Sequence, residues 1–224
     1  MMVTENTTYL RLEKNGNTTV ITVDDRAATR QSIINQIREQ GHGFVERSDW
    51  RAAPYKQSGL ELDWDYTKIA IHHAGRSFFC GVGAFQLKDI EAVHLRKNEG
   101  SAAVGYHYAL DCSGNVFEGR DLRFKGASVS NNNTRLIGIV FLENLTSSDE
   151  TLGSHFAHSI DEIPLKQKEA ALALIKALTD HFNIAVLGGH REFPNQMAEG
   201  KICPGNLGIS FVNSLRNSFK LVKP

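Results

Sequence analysis

A chain of 224 residues with 41% hydrophobic and 22% charged side chains has an ordinary globular composition and room for one substantial domain. Its 25 Lys and Arg balance 25 Asp and Glu, so no net field draws it to nucleic acid or an anionic membrane. The longest apolar stretches, such as Leu136 to Leu142, fall far short of the roughly 20 residues of a membrane span.

The N-terminus carries no basic patch followed by an apolar run, so no secretory signal peptide is expected. Residues 8–13 and 18–23 read as two strands turning at Asn15-Gly16, a strong hairpin signal. Asp24 and Asp25 can cap a helix to about Glu39 with Ile33, Ile34 and Ile37 on one face. Residues 1–43 are taken as an N-terminal extension of hairpin plus helix, although an integral edge of the main domain fits the same pattern.

From residue 44 the pattern continues with a β-rich run, Thr67 to His72, and a helix over residues 86–97 with Leu87, Ile90 and Val93 sharing a face with His94 or Leu95. A hairpin is expected around residues 111–114, and the aliphatic run Leu136 to Leu142 suits a strand covered on both faces. Residues 146–162 read as a polar surface loop carrying His155 and His158. The helix from Pro164 to Phe182 shows a stripe of Leu165, Leu172, Ile175, Leu178 and Phe182. A strand over 184–187 and a last helix over 211–219 close the chain. Strands alternating with helices imply one α/β sheet with helices on its faces.

Three cysteines, Cys80, Cys112 and Cys203, are too few for a disulfide framework, and the odd number leaves at least one thiol free, buried or metal-bound. His72 ends a predicted central strand, where α/β sheets place their sites. His190 follows a second strand across Gly188-Gly189, and Cys203 comes 13 residues later. Two imidazoles and a thiolate would leave a tetrahedral zinc one open position, the pattern of a catalytic site. On spacing alone, scattered His and Cys residues are as compatible with structural roles.

A set of motifs in order makes the case stronger: Glu46-Arg-Ser-Asp-Trp50, Ile69-Ala-Ile-His-His-Ala-Gly75, Val104-Gly-Tyr-His-Tyr108, Asp111-Cys-Ser-Gly-Asn-Val-Phe-Glu-Gly-Arg120, Ile137-Gly-Ile-Val-Phe141, Gly189-His-Arg-Glu192 and Lys201-Ile-Cys-Pro-Gly205. Together they resemble the superfamily of peptidoglycan recognition proteins and phage-type N-acetylmuramoyl-L-alanine amidases, over about residues 44–218. The resemblance implies a zinc amidase domain over 44–224, built on a central, mainly mixed β-sheet flanked by helices. It further implies one Zn2+ per chain on His72, His190 and Cys203, with Tyr106 orienting water or the substrate carbonyl and Lys201 supporting the developing oxyanion. His73, Arg120 and Arg123 are candidates for substrate contacts, the arginines because they grip carboxylates in bidentate fashion.

The implied substrate is peptidoglycan or a muropeptide, cut between the lactyl group of N-acetylmuramic acid and L-alanine. A non-catalytic recognition module and a cytoplasmic recycling amidase are the alternative readings. An endolysin or antibacterial effector would act on the wall after lysis or secretion, with residues 1–43 available to a wall-docking or delivery partner. This sequence departs from the family in a long His190–Cys203 spacing, in Asp121-Leu122 where some relatives carry Gly-Trp, and in Ser128 where a histidine is common. Cys80 stands where some relatives have half of a local disulfide but has no neighbouring partner, and Cys112 reads as a small turn or core residue.

Overall fold

The structure, a computed structural model, describes residues 7–14, 17–56, 58–75, 77–97, 101–147 and 162–224. The proposed loop histidines, His155 and His158, lie outside the described residues. The chain begins with the hairpin β1 (Thr7–Lys14) and β2 (Asn17–Asp24), paired antiparallel from Thr7↔Asp24 to Lys14↔Asn17. Helix α1 (Asp25–Glu39) follows directly. The Asp24 carboxylate accepts from the N–H groups of Arg26 (3.0 Å) and Ala27 (3.4 Å), satisfying two donors that every helix start leaves open.

The remaining strands are β3 (Phe44–Val45), β4 (Lys68–His73), β5 (Tyr108–Leu110), β6 (Val116–Glu118), β7 (Leu136–Phe141) and β8 (Val186–Gly189). They form one six-stranded sheet in the order β3-β6-β5-β7-β4-β8. The sheet is mixed, as expected: β5 and β6 run antiparallel, whereas β5, β7, β4 and β8 are parallel neighbours. Helices α3 (Leu165–His181) and α4 (Gly205–Phe219) join α1 on one face, over Ile69, Ile71, Ile137, Ile139 and Phe141. Helix α2 (Gly83–Lys97) covers the other face, where Leu87 and Ile90 meet Val104, Ala109, Val140 and Trp50.

Ile33, Ile34 and Ile37 of α1 are fully buried in the same core as the sheet. Arg30 reinforces this from its polar side, pairing with Glu118 at 2.5 Å and Glu46 at 2.9 Å. The helix therefore packs against the same core as the sheet. Ile34→Ala should lower the unfolding free energy of the whole protein by about 2–5 kcal/mol, the usual cost of emptying a buried aliphatic site. A single cooperative urea transition moved to lower midpoint checks it. A transition that left the sheet unaffected would show α1 to be a separate unit.

Two helix faces are rotated from the expected ones. In α2, Val93 points outward, and Glu91 is buried instead, its carboxylate accepting from the Ala53 N–H at 2.9 Å. In α3, Leu165 and Leu172 face solvent, while Ala170, Ala171, Leu174, Ile175 and Leu178 form the inner stripe. Four alanines, Ala170, Ala171, Ala173 and Ala177, are buried on this face, which a search for large apolar residues misses. Gln167 is buried there as well, donating to the Leu110 carbonyl at 2.9 Å.

The cysteine expectation is also corrected. Cys80 and Cys112 are joined by a disulfide across 32 positions, which ties the loop after β4 to the β5–β6 turn. The partner was missed because it is distant in sequence and adjacent only once β5 and the post-β4 loop share an end of the sheet. Beside the bridge lies Glu143, whose carboxyl burial pushes up to about 7.

Candidate functional site

The parallel register Ile71↔Gly189 puts the residues that follow, His72 and His190, side by side at the C-terminal edge of the sheet. Gly189 gives the turn its room, since a Cβ there would lie 2.6 Å from both Pro204 and Ile209. Cys203, at the entrance to α4, completes the group. The ligand-capable atoms of His72, His190 and Cys203 all lie within 4.8 Å of one another. His72 and His190 have ring centroids 4.6 Å apart, and His72 Nδ1 is 3.7 Å from Cys203 Sγ.

This donor set fits zinc. His72 is fully buried, yet its Nε2 has no hydrogen-bond partner among the described residues. A buried polar atom left so is costly unless something else is to satisfy the ring. Burial, with help from His190, His73 and His94, holds His72 well below the usual imidazole range. Burial likewise lowers His190, with Lys201 adding to it and the Gln196 contact opposing. Both rings are thus neutral, the form that binds metal. Burial pushes the Cys203 thiol up to about 12, against the pull of the His73 N–H, Arg191 and Lys201. Among the described residues the group contributes three donors, two imidazoles and a thiol, a set that suits zinc.

Tyr106 lies against the group, its ring centroid 4.9 Å from His72 and 5.4 Å from His94. Gly138 of β7 leaves room for Ser128 on the same side, because a Cβ there would sit 2.5 Å from Ser128 Oγ. Burial and then Cys203 raise the Tyr106 hydroxyl above the usual phenol range, so it stays a proton donor. Lys201 is exposed and lines a groove with His190, Gln196, Ser128, Ser130 and Asn133.

The other candidates are placed elsewhere. His73 Nδ1 accepts from the Leu145 N–H at 3.1 Å, while its own backbone N–H donates to Cys203 Sγ at 3.4 Å, so it braces the thiol instead of facing the groove. Arg120 is buried, and its guanidinium donates to the carbonyls of Val104, Lys125 and Ala103 at 2.9, 2.7 and 3.1 Å, which leaves it no fork for a substrate carboxylate. Arg123 is gripped by Asp121 at 2.7 Å and lines a different cavity, with Arg26, Arg30 and Trp64.

Sequence reading missed Gln196. It is fully buried, anchored by donating to the Ser130 and Pro194 carbonyls at 3.2 and 3.3 Å, and its Oε1 meets His190 Nε2 at 3.0 Å. Accepting the Nε2 proton leaves Nδ1 free for a metal and fixes the ring's orientation. Nothing about a lone glutamine signals this, beyond its position in the long His190–Cys203 loop. Gln196→Leu should weaken zinc binding by about 10–100-fold, the usual scale for such supporting contacts. Competition against a chromophoric chelator measures it, and unchanged affinity would dismiss the role.

A family model described as N-acetylmuramoyl-L-alanine amidase matches residues 63–206. Peptidoglycan-recognition protein SC2 of Drosophila simulans is 34% identical over 116 residues, 50% of this chain and 60% of that relative, so the match spans less than two thirds of the relative's length. Human PGRP-IβC, solved in complex with a glycosamyl muramyl pentapeptide, aligns with TM-score 0.60 and 21% identity over 77% of this chain and 95% of that one. The N-acetylmuramoyl-L-alanine amidase LysC from Clostridium intestinale aligns with TM-score 0.58 and 20% identity over 80% and 98%. At these identities the solved structures speak for the fold alone.

Proposed function

Because the chain belongs to the N-acetylmuramoyl-L-alanine amidase family, we propose that it is a zinc-dependent hydrolase of the amide between the lactyl group of N-acetylmuramic acid and L-alanine of the peptidoglycan stem. The observation that supports this reading best is the convergence of His72, His190 and Cys203 from three separate elements, within 4.8 Å. Zinc held there supplies a Lewis acid that polarises a carbonyl and acidifies water to a pKa of about 7.

The chain's own groups supply the rest. The Tyr106 hydroxyl, kept protonated, donates to the substrate's carbonyl oxygen or fixes the attacking water. Lys201 brings positive charge and three donors to the oxygen as it becomes an oxyanion. His73 and Gln196 hold Cys203 and His190 in place. Removing one oxyanion donor typically costs about 3 kcal/mol of barrier, so Lys201→Ala and Tyr106→Phe should each lower kcat/KM by roughly 10²–10³ while zinc content stays at the native level.

The test is release of new peptide amino groups when zinc-loaded protein meets purified muropeptides. Tight binding with no amine released would replace the amidase with a recognition module using the same groove. Comparing intact sacculi with soluble muropeptides separates a wall-lytic enzyme from a recycling one.

A further inference from the structure

Away from the zinc group, Glu143 sits just past the end of β7 and is 1% exposed. Its side chain has two polar contacts, both to sulfur: Oε1 lies 3.4 Å from Cys80 Sγ, and Oε2 lies 3.3 Å from Cys112 Sγ. Burial alone acts on it, with no cation among the described residues contributing. In the disulfide form neither sulfur carries a proton, so among the described residues the buried carboxyl meets no donor. A buried carboxylate without a donor or counter-charge is among the most unfavourable groups a fold can keep. The arrangement makes sense in another redox state, in which each carboxylate oxygen faces its own thiol.

The three side chains also form a ligand set. Cys80 Sγ, Cys112 Sγ and a Glu143 oxygen lie within 4.8 Å of one another. Cys80 is exposed and Cys112 half-buried, so the bridge is open to a reductant, whereas the carboxylate beneath is shielded from water. Two thiolates and a carboxylate suit a thiophilic divalent cation such as zinc, with one position left for solvent.

We propose that Cys80, Cys112 and Glu143 form a redox-gated second metal site, closed as a disulfide in the oxidised protein and binding one thiophilic divalent cation when reduced. A dithiol reductant attacks one sulfur, forms a mixed disulfide, and is released as its own disulfide. Two electrons and two protons thereby convert the bridge into two thiols. The cation then displaces both thiol protons to solvent and takes two thiolates and the Glu143 carboxylate as ligands. Since the Glu143 carbonyl accepts from the Ala74 N–H at 3.1 Å, two residues after His72, the site braces the loop leaving the zinc strand in either state.

The experiment uses cobalt(II) as probe and the Cys203→Ser protein, so that no thiolate remains at the first site. In the oxidised protein no thiolate-to-cobalt charge-transfer band is expected. After phosphine reduction and desalting, the band should appear and saturate at one cobalt per chain in protein whose near-ultraviolet circular dichroism is retained. Glu143→Gln should raise the cobalt Kd at least tenfold, and the Cys80→Ser, Cys112→Ser pair should abolish the band. No band on reduction, a band undiminished in the serine pair, or a reduced protein that unfolds without taking up cobalt would each overturn the proposal. None of these outcomes bears on the amidase reading, which is tested on the oxidised, zinc-loaded protein.

Discussion

Cys203→Ser should cost the protein both its zinc and its amidase activity while leaving the fold in place. Serine is nearly isosteric, but its hydroxyl is not deprotonated by zinc as readily as a thiol and is not among the usual ligands. The cysteine is held in position by the His73 N–H at 3.4 Å and by its place before α4, so the variant retains the geometry but loses the soft donor. Two imidazoles alone make a weak site, and metal analysis after dialysis should fall from about one zinc per chain to a small fraction of that. Amine release from muropeptides should fall by at least about 10³, beyond the 10²–10³ expected for losing an oxyanion donor. Full activity in a demonstrably zinc-free Cys203→Ser protein would eliminate the metal mechanism. Retained muropeptide binding alongside lost cleavage would show that groove and chemistry are separable.

The second large effect concerns acid. His107 alternates with Tyr106 and points to the opposite side, where it is fully buried. Its Nδ1 accepts from the Gly138 N–H at 3.1 Å, while Nε2 faces the Phe124 carbonyl at 3.0 Å and the Tyr66 hydroxyl at 3.2 Å. Both nitrogens are committed to the neutral ring. Burial lowers its pKa to about 4, with Arg120 pushing the same way and the Phe124 carbonyl and Asp121 opposing. The unfolded chain's imidazole titrates near 6.5, so between those values the unfolded state binds the extra proton. Stability from this residue is therefore intact above pH 6.5 and is lost as pH falls towards 4, by about 3 kcal/mol in total. Urea midpoints measured from pH 7 to pH 4 should decline over that window, and the His107 ring resonances should resist protonation until near its lower end. A His107 titrating near 6.5 in the folded protein would refute the account.

Much of the site was legible in the chain because its chemistry depends on residue type and local order. His72 closes a β-rich run and His190 follows paired glycines, but it was the ordered set of motifs shared with the family that singled them out with Cys203; the helix behind Cys203 begins at Gly205, earlier than the one expected over 211–219. The hairpin, α1 with its three isoleucines and the order of strands and helices followed from periodicity and caps. The failures share a different origin. Arg120 looked like a carboxylate clamp because a free guanidinium has that capability, but three backbone carbonyls, of Ala103, Val104 and Lys125, consume it. Leu165 and Leu172 looked like core because they are large and apolar, yet the inward face is instead built from alanines together with Leu174, Ile175 and Leu178.

Which residues form the candidate site came from the resemblance of motifs; what the sequence by itself determined is the donor chemistry of those side chains and roughly where each strand and helix lies. These are properties of side-chain chemistry and of nearest neighbours along the chain. Only the tertiary structure decided that Cys80 meets Cys112, that Gln196 fixes the His190 ring, that α1 belongs to the core, and that Glu143 is sealed beneath two sulfurs. Each of those outcomes depends on strand register and on burial, which set the partners of a polar group by distance in space. Residues 63 to 131 positions apart along the chain, such as Glu143 with Cys80 or Cys203 with His72, become neighbours through packing of the whole sheet.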